Sequence, residues 1–378
     1  MYYMLSTQTH LRHLLPMLAL LALVACSESS SPPTVGDTTP NGSDGFRCSV
    51  PEDDLVSGGV PPDGIPALLN PPFVGADDPE VAYLDDTDRV IGVLVDGEAW
   101  AIPHNVGWWH EIVNLDFPNG LELAVTYCPL TGSSLVFDRS VVDGVDFGVS
   151  GLLFQNNLIM FDRQDPTSLW FQMKREARCG PADGVRLPMF PSFEVTWAGW
   201  KILHPETRVV TGSLQLGRNY EQYPYGNYEE NEELFFDQDG LDDSRFLKER
   251  TLGIPEEGGG EGIVFPFGSL EEEAVGSRAV VHEEGRGGSV VVLWDRELGG
   301  AMAFRPVIHG ESLTFHVEDD RILDQETNSE WRMDGLAISG PRAGDRLEPI
   351  PEAYVSFWFA WMSFHPASRV WSGDEVES

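Results

Sequence analysis

The feature that most constrains this chain is a repeat of its own sequence. "WAGWKILHPETRVV" (Trp197–Val210) returns as "WFAWMSFHPASRVW" (Trp358–Trp371). Trp197, Trp200, His204, Pro205, Arg208 and Val209 match Trp358, Trp361, His365, Pro366, Arg369 and Val370, all 161 positions apart. Upstream, "CGPADGVRL" (Cys179–Leu187) matches "SGPRAGDRL" (Ser339–Leu347), Trp170 matches Trp331, and "RVIGV" (Arg89–Val93) matches "RTLGI" (Arg250–Ile254). "VTYCPLTGSSLVFDR" (Val125–Arg139) pairs with "VVLWDRELGGAMAFR" (Val291–Arg305), which sets Gly132 on Gly299 and Phe137 on Phe304. Matches in the same order along the chain predict two homologous halves, about residues 80–212 and 246–372. Such periodicity has to be read before any local signal, because it decides the architecture.

Within each half the pattern is one of short strands. Apolar residues alternate in "RVIGVLVDGEAWAIP" and "LELAVTYCPLTGSSLVFDR", with Gly, Pro and Asp between runs. Val125–Arg139 reads as two strands around a turn at Pro129–Gly132. Each half closes on one short amphipathic helix. Thr196 is placed to cap the first, Trp197 and Trp200 share a face, and His204-Pro205 ends it, since the residue before proline avoids the α region. A further helix is expected over Val106–Asn114. The expected fold class is mainly β with short helices (α+β), built as two β-rich halves.

The N-terminus carries Arg12, an apolar run from Leu14 to Val24, then small residues. The run is too short to span a bilayer, which takes about 20 residues, and reads as a secretory signal. "LVAC" (Leu23–Cys26) resembles a bacterial lipobox, which makes Cys26 the lipidated first residue of the mature chain and the bilayer its partner. Ser27, rather than Asp, favours the outer membrane over the inner. The expected organisation is a signal peptide (1–25), a lipidated cysteine and flexible Ser/Pro/Thr/Gly-rich tether (26–62), a first repeat as candidate functional lobe (63–212), an aromatic and acidic connector (213–245), and a second, supporting repeat (246–378). The net charge of −37 repels nucleic acid and anionic headgroups. Lysine is confined to Lys174, Lys201 and Lys248. Excess acid with few lysines suits a salty habitat, where screening removes self-repulsion.

The halves disagree at a few polar positions, and these are the candidates for chemistry. Cys128 stands opposite Asp295, His104 opposite Phe267, and "WWHEIVN" has no copy in the second half. Cys128 has three readings: a buried small hydrophobe, half of a disulfide with Cys48 or Cys179, or a thiolate ligand or nucleophile that needs a nearby cation or metal. Once Cys26 is lipidated, an odd number of cysteines remains. Cys128, His110, Glu111 and His104 form a candidate N/O/S set that suits copper or zinc. Asp138, Arg139, Asp162 and Arg163, from two Phe-Asp-Arg turns, and Trp170 are candidate pocket residues; the charged four are equally placed to form structural ion pairs. His-Glu-x-x-His fails at Asn114, "GVSGL" lacks the second glycine of a nucleophile elbow, and "PEEGGGEG" lacks the Lys-Ser/Thr of a phosphate loop. The aromatic connector "YEQYPYGNY" offers the alternative of a non-enzymatic module that binds a protein, glycan or small ligand.

Taken together, "AVTYCPLTGSSLVFDR", "FGVSGLLFQNNLIMFDRQDPTSLW", "WHEIVN" and "TWAGWKILHPETRV" resemble a bacterial family of secreted proteins and lipoproteins known only as a domain of unknown function. The likeness covers most of residues 63–372. Members read Tyr-Cys-Pro-Leu-(Cys/Thr)-Gly at this turn, and some are selenoproteins, which implies redox or metal chemistry at Cys128. Thr131 departs from the two-cysteine form and does not support a dithiol mechanism. Family members carry a small residue in place of Cys179 and no counterpart of Cys48, which implies that these two pair and leave Cys128 free.

Overall fold

The computed structural model describes residues 47–256, 261–285 and 287–373. Cys26 and the segment read as a signal lie outside the described residues. The chain is mainly β, with four α-helices of six or seven residues among the described residues: His104–His110, Trp197–Leu203, Phe267–Glu272 and Trp358–Phe364. None of the described helices is long and apolar enough to cross a membrane.

Two four-stranded units carry the same order and sense. In one, Phe193–Thr196 lies antiparallel to Arg89–Val95, which lies antiparallel to Glu98–Pro103, which runs parallel to Arg208–Val210. In the other, Tyr354–Phe357, Arg250–Ile254, Ile263–Pro266 and Arg369–Val370 repeat the pattern. Register repeats as well: Thr196 faces Arg89, and Phe357 faces Arg250. Each unit feeds a tryptophan-bearing helix. Thr196 accepts from the Gly199 amide and caps the first. Trp200 Nε1 donates to Thr207 at 2.8 Å, and Trp361 Nε1 to Ser368 at 3.1 Å. A Cβ on Gly92 would strike the Trp200 ring, and one on Gly253 the Trp361 ring. These indoles therefore need glycine beneath them.

Two hydrophobic clusters take residues from both ends of the chain. One packs Trp197 and Trp200 against Leu298, Phe304 and Trp331; the other packs Trp358 and Trp361 against Leu135, Phe137 and Trp170. The Thr196 amide donates to Leu298 O at 2.9 Å, and the Phe357 amide to Thr131 O at 2.8 Å. Each strand-to-helix junction thus rests on a hairpin turn from the other end of the sequence. Gly132 (φ +56°) and Gly299 (φ +66°) make those turns possible.

Two boundaries differ from the sequence reading. The helix expected over Val106–Asn114 is His104–His110, followed by a strand, Ile112–Asp116. Glu111 between them holds φ +56°, which stops the helix and turns the chain. Residues 47–62, expected as tether, belong to the folded body. Leu55–Ser57 pairs with Leu152–Phe154, and Cys48 forms a disulfide with Cys179, 131 positions away. A bridge across so long a loop removes much chain entropy from the unfolded state. Cys179→Ala is expected to cost about 2–5 kcal/mol by urea denaturation, close to the cost of reducing the wild type.

Candidate functional site

The hairpin Glu122–Cys128 and Ser133–Asp138 places the Cys128 turn against the core. Cys128 is the one free cysteine among the described residues and is buried. Its thiol faces Asn156 O at 3.7 Å. The turn is braced from behind by a buried polar network. Asn157 Nδ2 donates to Thr131 (2.9 Å), Ser133 (3.1 Å) and Gln172 (2.7 Å), and Gln172 Nε2 donates to Thr126 at 2.9 Å. Such a network holds its shape only while every member is satisfied. The connector covers the turn, with Tyr228 Oη donating to Leu130 O at 2.8 Å.

Beside the thiol sits Glu111, only 8% exposed, with no side-chain hydrogen bond or ion pair among the described residues. Burial raises its carboxyl to about 8. Burial, and then the Glu111 charge, raise the Cys128 thiol to about 11. At pH 8 roughly one thiol in a thousand is ionised. Iodoacetamide is therefore expected to leave Cys128 unmodified in the folded chain over an hour and to alkylate it at once in guanidinium, as read by intact mass.

The proposed metal set does not assemble. Successive residues of a strand face opposite ways, and His104 stacks on Tyr127 (4.0 Å between centroids), the neighbour of Cys128. His110 is held by Pro66 O (2.7 Å) and the Tyr220 hydroxyl (2.8 Å). Among the described residues no three His, Cys, Asp or Glu side chains group to hold a metal ion. The Phe-Asp-Arg turns do not join Cys128 either. Asp138 caps the Ser140 amide. Arg139, fully buried, is clamped by Asp116 and Asp146. Asp162 accepts from the Trp170 indole at 2.9 Å, as Asp324 does from Trp331 at 2.8 Å. Arg163 pairs with Asp63 at the surface.

What the fold does bring together lies on the Tyr127 side of the same hairpin. Glu194, 4% exposed, accepts from Arg89 Nε at 2.6 Å and from Arg250 Nη1 at 3.3 Å. It also accepts from Ser134 Oγ at 2.5 Å. Arg89 and Arg250 occupy matching positions of the two four-stranded units, so both arginines converge on one carboxylate. Arg89 also donates to Gly299 O at 2.8 Å, and Arg250 to Glu229 of the connector at 2.6 Å. Although burial pushes the Glu194 carboxyl up, His104, Arg89 and Arg250 hold it well below the usual range. Burial lowers His104 against the pull of Glu194 and favours the neutral ring. His104 Nε2 is 3.4 Å from Ser134 Oγ and 3.5 Å from Glu194 Oε2. Serine and acid thus meet at the same ring nitrogen. A Ser-His-acid relay needs them at opposite nitrogens, so this is not a nucleophile triad.

Above this cluster opens a cleft of about 370 Å³, whose lining includes Arg89, His104, Trp108, Tyr223, Glu229 and Arg250. The helix His104–His110 forms one wall and the connector the other. The connector is fastened there by Asn105 Nδ2 to Tyr220 O (3.0 Å), Trp109 Nε1 to Asn219 O (3.2 Å), and Tyr225 Oη to Trp108 O (3.4 Å). Of this site the sequence flagged His104 and the connector aromatics. Glu194, Ser134, Arg250 and Glu229 escaped it. The available signal was Glu194 itself: a charge inside "FEVTW" where the matching strand "YVSFW" has Val355.

Residues 62–368 match the family described as "Protein of unknown function (DUF3179)". No curated protein and no solved structure matches the chain.

Proposed function

The chain belongs to the DUF3179 family of proteins of unknown function, and on that premise we propose that it is a cell-envelope binding module that takes a small ligand in the cleft beneath the connector. The observation that carries this reading is the convergence of Arg89 and Arg250 on buried Glu194 at the floor of that cleft. Buried charges are costly to assemble. Here they fix the floor of an opening within the size range of small-molecule sites, about 300–1,000 Å³. The same reading takes Cys26 as the acylated anchor in the outer membrane and the segment before residue 47 as the tether. It also takes the two four-stranded units as products of a duplication. Their shared order and register, and the reciprocal Thr196–Leu298 and Phe357–Thr131 hydrogen bonds, support that origin. One copy kept polar residues at the cleft, where the other has Phe267 for His104 and Val355 for Glu194.

Thiol chemistry at Cys128 is the second reading. Glu111, buried without a partner beside the thiol, is what favours it. One screen separates the two: thermal shift of the full chain against a metabolite and metal library, in wild type, Arg250→Ala and Cys128→Ala. Hits lost in Arg250→Ala and kept in Cys128→Ala support the cleft. Hits lost only in Cys128→Ala move the function to the thiol.

A further inference from the structure

The connector is fastened to the body by side chains. Residues 219–239 contain no strand, and among the described residues no backbone–backbone hydrogen bond joins them to the rest of the chain. Only Tyr220 and Tyr228 of this stretch are buried. Its aromatics pack on one another: Tyr223 on Tyr225 with 5.5 Å between centroids, Tyr225 on Phe235 at 6.0 Å, and Phe235 on Tyr228 at 4.8 Å. A surface loop packed by its own side chains keeps its shape when it moves. Gly217 (φ +68°) and Gly240 (φ +73°) bound it, and nothing lies within 4 Å of a Cβ placed at either. Such positions absorb hinge rotation. The seam with the body is also imperfect. The Trp108 indole N–H and the Tyr223 hydroxyl, whose rings meet across it, are buried without a hydrogen-bond partner among the described residues. Water satisfies both once the segment lifts, which narrows the gap between closed and open forms.

The strongest fastening is Lys248. It is 3% exposed and fixed to the body, since its neighbours Leu247 and Glu249 accept from the Phe359 and Trp358 amides. Its three ammonium donors all reach the connector, at Glu233 O (2.6 Å), Asn231 O (2.7 Å) and Asn231 Oδ1 (3.2 Å), and Nζ lies 3.8 Å from the centre of the Tyr228 ring. Tyr228 in turn donates to Leu130 O in the Cys128 turn. Arg250 to Glu229, Asn156 to Phe236 O and Gln238 to Ser363 are further ties. We propose that residues 219–239 are a strap that opens as a unit between its two glycines while both four-stranded units stay folded, and that Lys248 is its clasp. Opening uncovers two places. One is the cleft wall at Trp108; the other is Cys128 and Glu111, which interact with Tyr225 and Tyr228. The strap goes beyond the binding reading: it states how the covered surface is reached, whatever binds there.

Cys128 reports the opening. The full chain is treated with iodoacetamide at a series of urea concentrations below the unfolding transition, and alkylation at Cys128 is followed by peptide mapping. The urea slope of a rate set by opening scales with the surface that the opening exposes. In the wild type it should be less than about half the slope of global unfolding, because only the strap moves. Extrapolated to no urea, Lys248→Met should raise the rate about ten- to a hundredfold, the range expected for losing hydrogen bonds to a charged group, and keep the shallow slope. Tyr228→Phe removes only the bond to Leu130 O and should raise the rate about two- to tenfold; it carries the test if Lys248→Met does not fold. Ile202→Ser, at an exposed position on another element, should leave the rate unchanged. A wild-type slope equal to that of global unfolding means that Cys128 is reached only when the body unfolds, and it overturns the strap. A shallow slope with a rate that neither variant raises places the opening elsewhere and overturns it equally.

Discussion

Glu194→Gln is expected to destabilise the chain by about 3–5 kcal/mol at pH 7, the usual cost of removing one partner from a buried charge cluster. The substitution keeps the shape. It removes the charge that Arg89 and Arg250 share, and it turns one of the two carboxylate oxygens into an N–H₂ donor among donors. Arg250 retains Glu229, but Arg89 retains only backbone carbonyls. The pH dependence follows from the carboxyl being held below its unfolded value. Its contribution is fully present above the unfolded value, near 4.5, and is lost as the pH falls through the folded one. The difference between wild type and variant should therefore be constant from pH 8 to about pH 6 and shrink in acid. Urea denaturation at several pH values reads it. A cost below about 1 kcal/mol at pH 7 would mean the arginines find other partners, and the cleft floor would lose its stated basis.

The same substitution at Glu111 should act in the opposite direction. Both glutamates are buried, 4% and 8% exposed, and differ in their partners. Glu194 has two arginines and a serine; Glu111 has no such partner among the described residues, and burial lifts its carboxyl to about 8. Between pH 4.5 and 8 the folded chain keeps a proton that the unfolded chain has released, so this residue lowers stability as pH rises through that window. At 1.36 kcal/mol per pH unit the upper bound is about 5 kcal/mol, and relaxation around a carboxylate at the edge of the core reduces it to about 2–3 kcal/mol. Glu111→Gln removes the proton linkage. It should be nearly neutral at pH 4.5, progressively stabilising toward pH 8, and level above that. A stability gap independent of pH would show that Glu111 ionises freely in the folded chain.

The contrast also explains which parts of the molecule could be read in advance. The helix Trp197–Leu203 was legible because its determinants are local: a capping threonine, two tryptophans on one face and a His-Pro stop. The hairpin at Pro129–Gly132 was legible for the same reason. The helix before Glu111 was misplaced because a glutamate held at φ +56° has no sequence signature, unlike glycine. Cys128 and Glu111 interact, a contact that sequence spacing does not give, while His104 stacks on Tyr127, on the other side of the strand. Period-two alternation places Tyr127 and Cys128 on opposite faces, yet it does not say which face meets a helix 20 residues earlier. Glu194, Arg250 and Glu229 come from three distant segments, and only the tertiary fold sets them on one point. Chemistry assembled at that range leaves no local pattern. What remains in the sequence is the oddity of a charge in a buried strand.

The central claim is that the cleft under the connector receives the ligand, and the indole region of the amide spectrum tests it most directly. The chain has 11 tryptophans, and Trp108 carries its unpaired N–H in the cleft wall. Its resonance, assigned by Trp108→Phe, should move saturably as a hit of the metabolite screen is added, and the same titration of Arg250→Ala should leave it still. Saturable binding that leaves the Trp108 signal unmoved, or that persists unchanged in Arg250→Ala, would contradict the account.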